Sequence, residues 1–156
     1  LYELIGKGAL KYYLLKVDPK KKMMFNPAES IDLNGNTGPF IQYGYARIQS
    51  ILRKESPEIL KTDTAVKIND HEMLLLKNLA DFPKVITESA KYLSPSIIAN
   101  YIYGLVKSYN SFYQAVPILG EEDKQIREFR ILLTYKIGLV VKDGMHLLGI
   151  DVPKRM

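Results

Sequence analysis

The sequence predicts an all-α protein, an antiparallel helical bundle preceded by a short N-terminal segment with one candidate strand. Apolar residues recur at the three- and four-residue spacing of helices over most of the 156 residues. Capping residues followed by proline or acidic residues stand where several of these stretches begin. At 47% hydrophobic residues the chain can fold around its own core, and no internal repeat interrupts the pattern.

Composition narrows the class of protein further. The chain has no cysteine, which excludes disulfides and thiolate metal sites and fits a reducing compartment. No apolar run reaches the roughly 18 residues of a membrane span, and no secretory signal is found. We therefore expect a cytoplasmic protein without membrane contact. The net charge of +5 favours a polyanionic partner. The chain starts without methionine inside a helical pattern, which indicates a piece of a longer protein.

The N-terminal part begins with a predicted helix over residues 1–17, and Asp18–Pro19 is expected to form a turn after it. Residues 20–26, with the sequence KKKMMFN, are the candidate strand. Residues 27–38 are rich in loop formers and contain a tight-turn signal at Asn34–Gly35.

The next helix is expected to start near Pro39, with Thr37 as its N-cap. Its apolar residues keep helical spacing until Ser56–Pro57 stops it. Residues 57–68 have mixed composition and are interpreted as a linker.

A further helix is capped by Asn69 or Asp70. It continues as HEMLLLKNLADF, which is apolar on nearly all sides and therefore predicts deep burial. Pro83 is expected to begin another helix.

Two long helices complete the bundle. Ser94 is the expected cap of the first, with Pro95 in its first position. The second opens with the acidic residues 121–123, which suit the positive end of a helix dipole, and ends at Gly149. Two glycines inside it predict close packing against a neighbour, Gly138 and Gly144.

The sequence offers no recognisable catalytic or metal-binding set. His71 and His146 lack carboxylates and further histidines at ligand spacing. No local signature of a nucleophile with its base is present. The segment GKGALK, residues 6–11, lacks the spacing of a phosphate loop and lies inside the first helix.

The basic run Lys20, Lys21 and Lys22 has two interpretations. Such runs are usually solvated turns. Alternatively, they contact phosphates, which positions an RNA without reading its sequence.

The aromatic residues also have two interpretations, packing in the core or stacking on bases. Those on the stripe over residues 101–113 are more often packing residues. Phe40, Tyr43 and Tyr45 stand beside glycine and basic residues at a loop–helix junction, where aromatic rings are candidates for stacking on unpaired bases.

This junction, GNTGPFIQYGYARIQSIL over residues 35–52, resembles the segment by which arginyl-tRNA synthetases pass from the catalytic core into the anticodon-binding bundle. The family pattern is Gly-Asn-Thr-(Ala/Gly)-Pro-Tyr-x-Gln-Tyr-x-x-(Ala/Ser)-Arg. Phe40 replaces the first tyrosine of the pattern, keeping the ring and losing the hydroxyl. The matching positions are Gly35, Asn36, Thr37, Gly38, Pro39, Gln42, Tyr43, Ala46 and Arg47.

The resemblance extends over essentially the whole chain. YIYGLVKSYNSFYQ, residues 101–114, and the closing stretch over residues 128–156 are similar to the family's last helices and its tail. The segment over residues 8–38 resembles the end of the class I catalytic core. The resemblance implies a core-derived part over 1–36 and an anticodon-binding domain over 37–156. The adenylate-site motifs of the family are missing, so no catalytic residue is expected here.

The resemblance also implies positions that bind the anticodon loop. The aromatics at the helix start correspond to Phe40 and Tyr43, and the family's terminal methionine to Met156. A further aromatic corresponds to Tyr109 or Tyr113. To these positions we add Arg47, Lys154 and Arg155 as phosphate partners.

A family member ligates arginine to its tRNA with ATP and Mg²⁺. The resemblance implies that this chain contributes anticodon binding and needs no cofactor itself. Its expected partners are arginine tRNA and the remainder of the synthetase, and it is expected to be a monomer. A helical protein-interaction module without RNA binding is the alternative, and it would show an exposed apolar patch. A small enzyme of another kind lacks a catalytic constellation.

Overall fold

A computed structural model describes residues 1–57 and 66–156, and these ranges contain six helices and no strand. The all-α prediction is therefore confirmed, whereas the candidate strand over residues 20–26 is wrong. Most of the linker expected over 57–68 lies outside the described residues. No helix in the described ranges is long and apolar enough to cross a membrane. The helices are α1 (Tyr2–Leu15), α2 (Pro27–Ser30), α3 (Gly38–Leu52), α4 (Asp70–Tyr92), α5 (Ser96–Ala115) and α6 (Lys124–Leu147).

Residues 20–26 form an irregular segment that contacts α1 through Tyr13. The Tyr13 hydroxyl donates to the carbonyl of Met24 over 3.1 Å. The ring of Phe25 packs edge-on against the Tyr13 ring at a centroid distance of 5.3 Å.

The start of α3 confirms the predicted cap. Thr37 accepts a hydrogen bond from the Phe40 amide over 3.2 Å and donates to the Asp32 carbonyl. Gly38 lies directly against α1, since a Cβ there would be 2.7 Å from the Gly8 carbonyl oxygen. At this spacing of α1 and α3 there is no room for a side chain at residue 38.

Helix α4 is capped by Asn69, which exchanges hydrogen bonds with Glu72 in a capping box. Two predictions for this helix are wrong. Pro83 does not begin a helix, because α4 runs through it while Phe82 and Val85 pack on the core on both sides. The helix is also not deeply buried, since only one face meets the bundle and Met73, among others, is exposed.

The starts of the last two helices differ from prediction in detail. Ser94 does not cap α5, because its hydroxyl pairs with the Ser96 hydroxyl at 2.8 Å and Pro95 occupies the N-cap position. Asp123 is the N-cap of α6 and accepts from the amides of residues 125 and 126, so the other acidic residues precede the helix. The chain leaves α6 through Gly149, whose φ of +68° is in the left-handed region.

The contacts between helices define the topology. α3 is antiparallel to α1 and α6, and α5 is antiparallel to α4 and α6. α3 and α5 instead run parallel, which the antiparallel prediction did not include. Contacts advance along both together, from Asn36–Asn100 through Phe40–Tyr103 to Arg47–Asn110.

The predicted close packing at the α6 glycines is confirmed. A Cβ at Gly138 would lie 2.9 Å from Ile48, and one at Gly144 would collide with Ile102. These contacts bring α6 against α3 and α5, and the three helices enclose most of the core.

A buried cation joins α6 to α4 and to the connection between α5 and α6. The Arg130 Nε donates to a Glu72 carboxylate that is 0% exposed, over 2.6 Å. Its Nη1 donates to the Pro117 carbonyl over 2.8 Å and also to Glu121. This fixes the loop over residues 116–121, part of which lines a hollow beside the surface described next.

Candidate nucleic-acid interface

One face of α3 carries polar and aromatic side chains on the solvent side of the bundle. Tyr43, Arg47 and Ser50 follow each other at positions i, i+4 and i+7 and therefore share that face. The opposite face holds the buried Ile41, Tyr45 and Ile48. The core contacts of α3 thus orient the outer face.

The Arg47 side chain is held in one place by two rings and an amide. Its guanidinium carbon lies 5.1 Å from the Tyr43 ring centroid and 4.8 Å from the Tyr113 ring centroid. Its Nη1 donates to the Asn110 Oδ1 over 2.6 Å. A guanidinium fits this arrangement because it is flat and has several donors. Arg47 therefore orders two exposed tyrosines.

The two alternatives on α5 are separated by burial. Tyr113 is 42% exposed, whereas Tyr109 is 0% exposed, with its ring 6.5 Å from that of Tyr113. Tyr109 cannot stack on a base in this arrangement, and its ring instead packs next to the Tyr113 ring. Burial raises the pKa of Tyr109.

The C-terminal tail completes this region. Arg155 and Met156 lie over the outer face of α3 and border a hollow of about 600 Å³. We call its lining the Arg47 surface; it consists of Tyr43, Ala46, Arg47, Ser50, Arg53, Tyr113, Arg155 and Met156. The lining includes three arginines and no acidic side chain, so its side chains carry net positive charge.

Two smaller hollows adjoin the Arg47 surface. One, of about 280 Å³, lies between α3 and α5 and is bordered by Phe40, Lys107 and Asn110. The Phe40 ring is partly buried against Tyr103, at a centroid distance of 5.3 Å, so only part of it faces this hollow. The other, of about 290 Å³, lies between Lys54 and the loop over residues 116–119.

The remaining basic residues of the prediction lie elsewhere. Lys20, Lys21 and Lys22 are exposed in the turn after α1, at the end of the bundle where α3 starts. They do not line the Arg47 surface. The Lys154 side chain is exposed, but its carbonyl is bound by Arg53 over 2.8 Å. Phosphate contact by these lysines stays a prediction.

Several residues of this region were missed from the sequence. Arg53 and Ser50 continue the outer face of α3, and the helical spacing from Tyr43 was a sufficient signal for them. Asn110 had no such signal, because its role depends on how α3 and α5 are placed.

The structure also shows where the residues considered for phosphate and metal binding lie. The GKGALK segment lies inside α1, so its amides are used within the helix and form no phosphate loop. Among the described residues, no group of three or more histidine, cysteine, aspartate or glutamate side chains is placed to hold a metal ion. His71 and His146 are both exposed.

Exposed aromatic rings beside arginines on a helical bundle form the kind of surface that binds unpaired nucleotides. The chain belongs to the DALR anticodon binding domain family, whose model matches residues 41–156.

Similar proteins agree with this membership. The chain is 59% identical over 156 residues to the arginine–tRNA ligase of Flavobacterium psychrophilum, covering 100% of this chain and 26% of that protein. The arginyl-tRNA synthetase of Thermus thermophilus superposes with a TM-score of 0.90 at 32% identity, over 98% of this chain and 27% of that one. That of Plasmodium falciparum gives 0.84 at 27% identity, over 96% and 26%. The chain spans about a quarter of the length of these relatives.

Proposed function

We propose that this chain is the anticodon-loop-binding part of an arginine–tRNA ligase. The observation that carries the proposal is the Arg47 surface, where Arg47 holds Tyr43 and Tyr113 in place beside Met156. Membership of an anticodon-binding family and similarity to arginine–tRNA ligases support it.

The geometry suits a loop whose bases are splayed out. Bases stack on the exposed faces of Tyr43 and Tyr113, and each such stack is worth about 1–3 kcal/mol. The Met156 thioether adds a soft apolar contact. Arg53 and Arg155 neutralise phosphates, which makes binding depend on salt.

Hydrogen bonding to base edges then supplies selectivity for particular anticodons. Polar side chains border all three hollows, including Ser50 and Lys107. In this proposal the phosphate contacts position the loop and these polar groups distinguish its bases.

Ligation itself belongs to the rest of the proposed enzyme. ATP and Mg²⁺ would be used there. Among the described residues, GKGALK is helical and forms no phosphate loop, and no group of acidic side chains is placed to hold a metal ion. We expect the chain alone to bind tRNA as a cytoplasmic monomer and to form no arginyl-tRNA. Exposed apolar side chains on the N-terminal part, such as Leu10, Leu14 and Met24, would pack against the remainder of the synthetase.

The test is binding of the chain to arginine tRNA and to the same tRNA with altered anticodon bases, measured across a salt series. We expect tighter binding to the natural anticodon and an affinity that falls with salt. Equal affinity for every anticodon would contradict anticodon reading.

Two variants locate the interface. Tyr113→Ala is expected to weaken binding about tenfold, because one stacking face is lost. The matched control is Tyr92→Ala, which removes a tyrosine that is also exposed, at the end of α4. Loss of affinity in both variants, or in neither, would contradict the assignment. Absence of binding by the folded chain would favour a protein-interaction module.

A further inference from the structure

The tail after α6 is held through its backbone carbonyls by side chains of two other helices. Lys11 on α1 donates to the Gly149 carbonyl over 2.6 Å. Gln42 on α3 donates to the Asp151 carbonyl over 2.9 Å, and Arg53 donates to the Lys154 carbonyl over 2.8 Å. Three side chains thus bind three carbonyls along six residues. They fix how far the tail extends along α3.

Gln42 is the buried member of this set. Its side chain is 0% exposed, and its Oε1 has no hydrogen-bond partner among the described residues. The hydrogen bond from its Nε2 to the tail is therefore the one that this side chain makes there. Gly8 provides the space, because a Cβ at that position would lie 2.5 Å from the Gln42 Nε2. Because a buried polar group needs a hydrogen-bond partner, the bond from the Gln42 amide to the tail is a structural contact.

The end of the tail is where Gln42 and Arg53 have their effect. Arg155 and Met156 follow directly after the carbonyl that Arg53 binds, and both line the Arg47 surface. Met156 is 42% exposed, so the core does not hold it in place. Met156 borders the same hollow as Tyr43 and Tyr113, and the three bound carbonyls precede it in the chain.

We propose that Gln42 and Arg53 are positioning residues for recognition of the anticodon loop, acting by fixing the register of the tail and so placing Arg155 and Met156. This inference rests on the proposed function. Gln42 is fully buried and cannot touch RNA itself. Any effect of Gln42 on RNA binding therefore passes through neighbouring protein groups.

A double-mutant cycle tests this transmission. Affinity for arginine tRNA is measured for Gln42→Met in the whole chain and in a chain that ends at Lys154. In the whole chain we expect binding to weaken roughly threefold to tenfold, the range for one lost hydrogen bond. In the shortened chain the same substitution is expected to change affinity less than about 1.5-fold, because contacting residues act non-additively. Equal losses in both backgrounds would overturn the proposal.

Matched controls separate positioning from general damage. Gln49→Met makes the same exchange on the same helix, outside the tail contacts, and is expected to leave affinity unchanged. Gly8→Ala displaces the Gln42 amide from the α1 side, whereas Gly6→Ala meets nothing within 4 Å. If Gln42→Met fails to fold, Gly8→Ala replaces it in the cycle, with Gly6→Ala as its control.

The Arg53 side chain is exposed, so substituting it leaves the core intact. Arg53→Gln is expected to weaken binding more in the whole chain than in the chain that ends at Lys154, because in the shortened chain only the direct phosphate contact of Arg53 is lost. Equal losses in the two chains would show that Arg53 acts through phosphate alone and would overturn its positioning role.

A readout without RNA distinguishes failure of this inference from failure of the proposed function. Removal of Met156 by a carboxypeptidase, followed by mass spectrometry, reports how often the tail leaves its place. We expect Gln42→Met to speed removal at least about threefold and Gln49→Met to leave it unchanged. Unaltered removal in Gln42→Met would overturn the tail contact. Failure of the unaltered chain to bind RNA would overturn the proposed function instead.

Discussion

The Nε of Arg130 lies 2.6 Å from a carboxylate oxygen of Glu72, and this ion pair is closed off from solvent although 58 residues separate the two in sequence. Desolvating both charges is costly, so such a pair gains little over an apolar one, but losing one partner leaves an uncompensated charge. We therefore expect loss of one partner to weaken the packing of α4 against α6.

Glu72→Ala is expected to lower the free energy of unfolding by about 3 kcal/mol, because it breaks the buried pair, although Glu121 still faces Arg130, and also removes the capping-box bond to the Asn69 amide. Urea denaturation measures the change. The matched control is Glu88→Ala, which breaks the exposed pair with Lys84 and is expected to cost less than about 0.5 kcal/mol. Similar losses in the two variants would contradict a special role for the buried pair.

Gly38→Ala is expected to destabilise the chain by about 2 kcal/mol, because the new methyl group meets the backbone of Gly8, which cannot rotate aside as a side chain does. Gly104→Ala is the control: its methyl group meets nothing within 4 Å, and the gain in helix propensity is expected to stabilise by about 0.5 to 1 kcal/mol. Thermal unfolding of both variants checks the opposite signs. Two changes of equal sign would contradict the close approach of α1 and α3.

Arg47→Lys separates a positioning role from a simple charge. Lysine keeps the charge but loses the flat group that lies between Tyr43 and Tyr113 and bonds Asn110. We expect affinity for arginine tRNA to fall about tenfold, with the dependence on salt unchanged. Filter binding across a salt series measures both quantities. Arg127→Lys, outside the Arg47 surface, is the control, and full affinity in Arg47→Lys would show that its charge alone matters.

Stability is expected to fall in alkaline solution because several tyrosines are buried. Burial raises the pKa of Tyr101 to about 12, and it also raises the pKa of Tyr12 and Tyr109. Unfolded tyrosines titrate near 10. Above pH 10 the unfolded chain therefore releases protons that the folded chain retains, and the stabilisation present below pH 10 is progressively lost.

Urea denaturation at pH 9, 10 and 11 measures this loss. A fully buried tyrosine such as Tyr109 is expected to contribute up to about 1.4 kcal/mol per pH unit above 10. Tyr109→Phe is expected to reduce the slope by that share while leaving the pH 7 to 9 range flat. An identical slope in the variant would contradict titration of Tyr109 as a cause.

The parts of the fold that were predictable are those written in local sequence. Thr37 and Asn69 are helix caps whose partners stand three residues further on, so a short window contains the whole interaction. Gly138 and Gly144 were expected to mark close packing because glycine has no other advantage inside a helix. The outer face of α3 likewise follows from helical spacing.

The errors concern properties that only tertiary contacts decide. Pro83 is a local signal for a helix start, but packing on both sides of it keeps α4 continuous. Tyr109 and Tyr113 stand one helical turn apart on the same stripe, and only the neighbouring helices determine which is covered. No sequence pattern joins Glu72 to Arg130, or Asn110 to Arg47, because those pairs form when distant helices meet.

Attachment of the tail through carbonyl groups has a consequence for how this segment tolerates change. Carbonyls are the same in every residue, so an exchange at an exposed position such as Lys154 leaves its bond to Arg53 available. Inserting or deleting one residue after Asp151 is different, since it would displace Met156 by roughly 3.5 Å, the length of one extended residue. The segment from Asp151 to Lys154 thus acts as a spacer, in which the number of residues matters more than their identity.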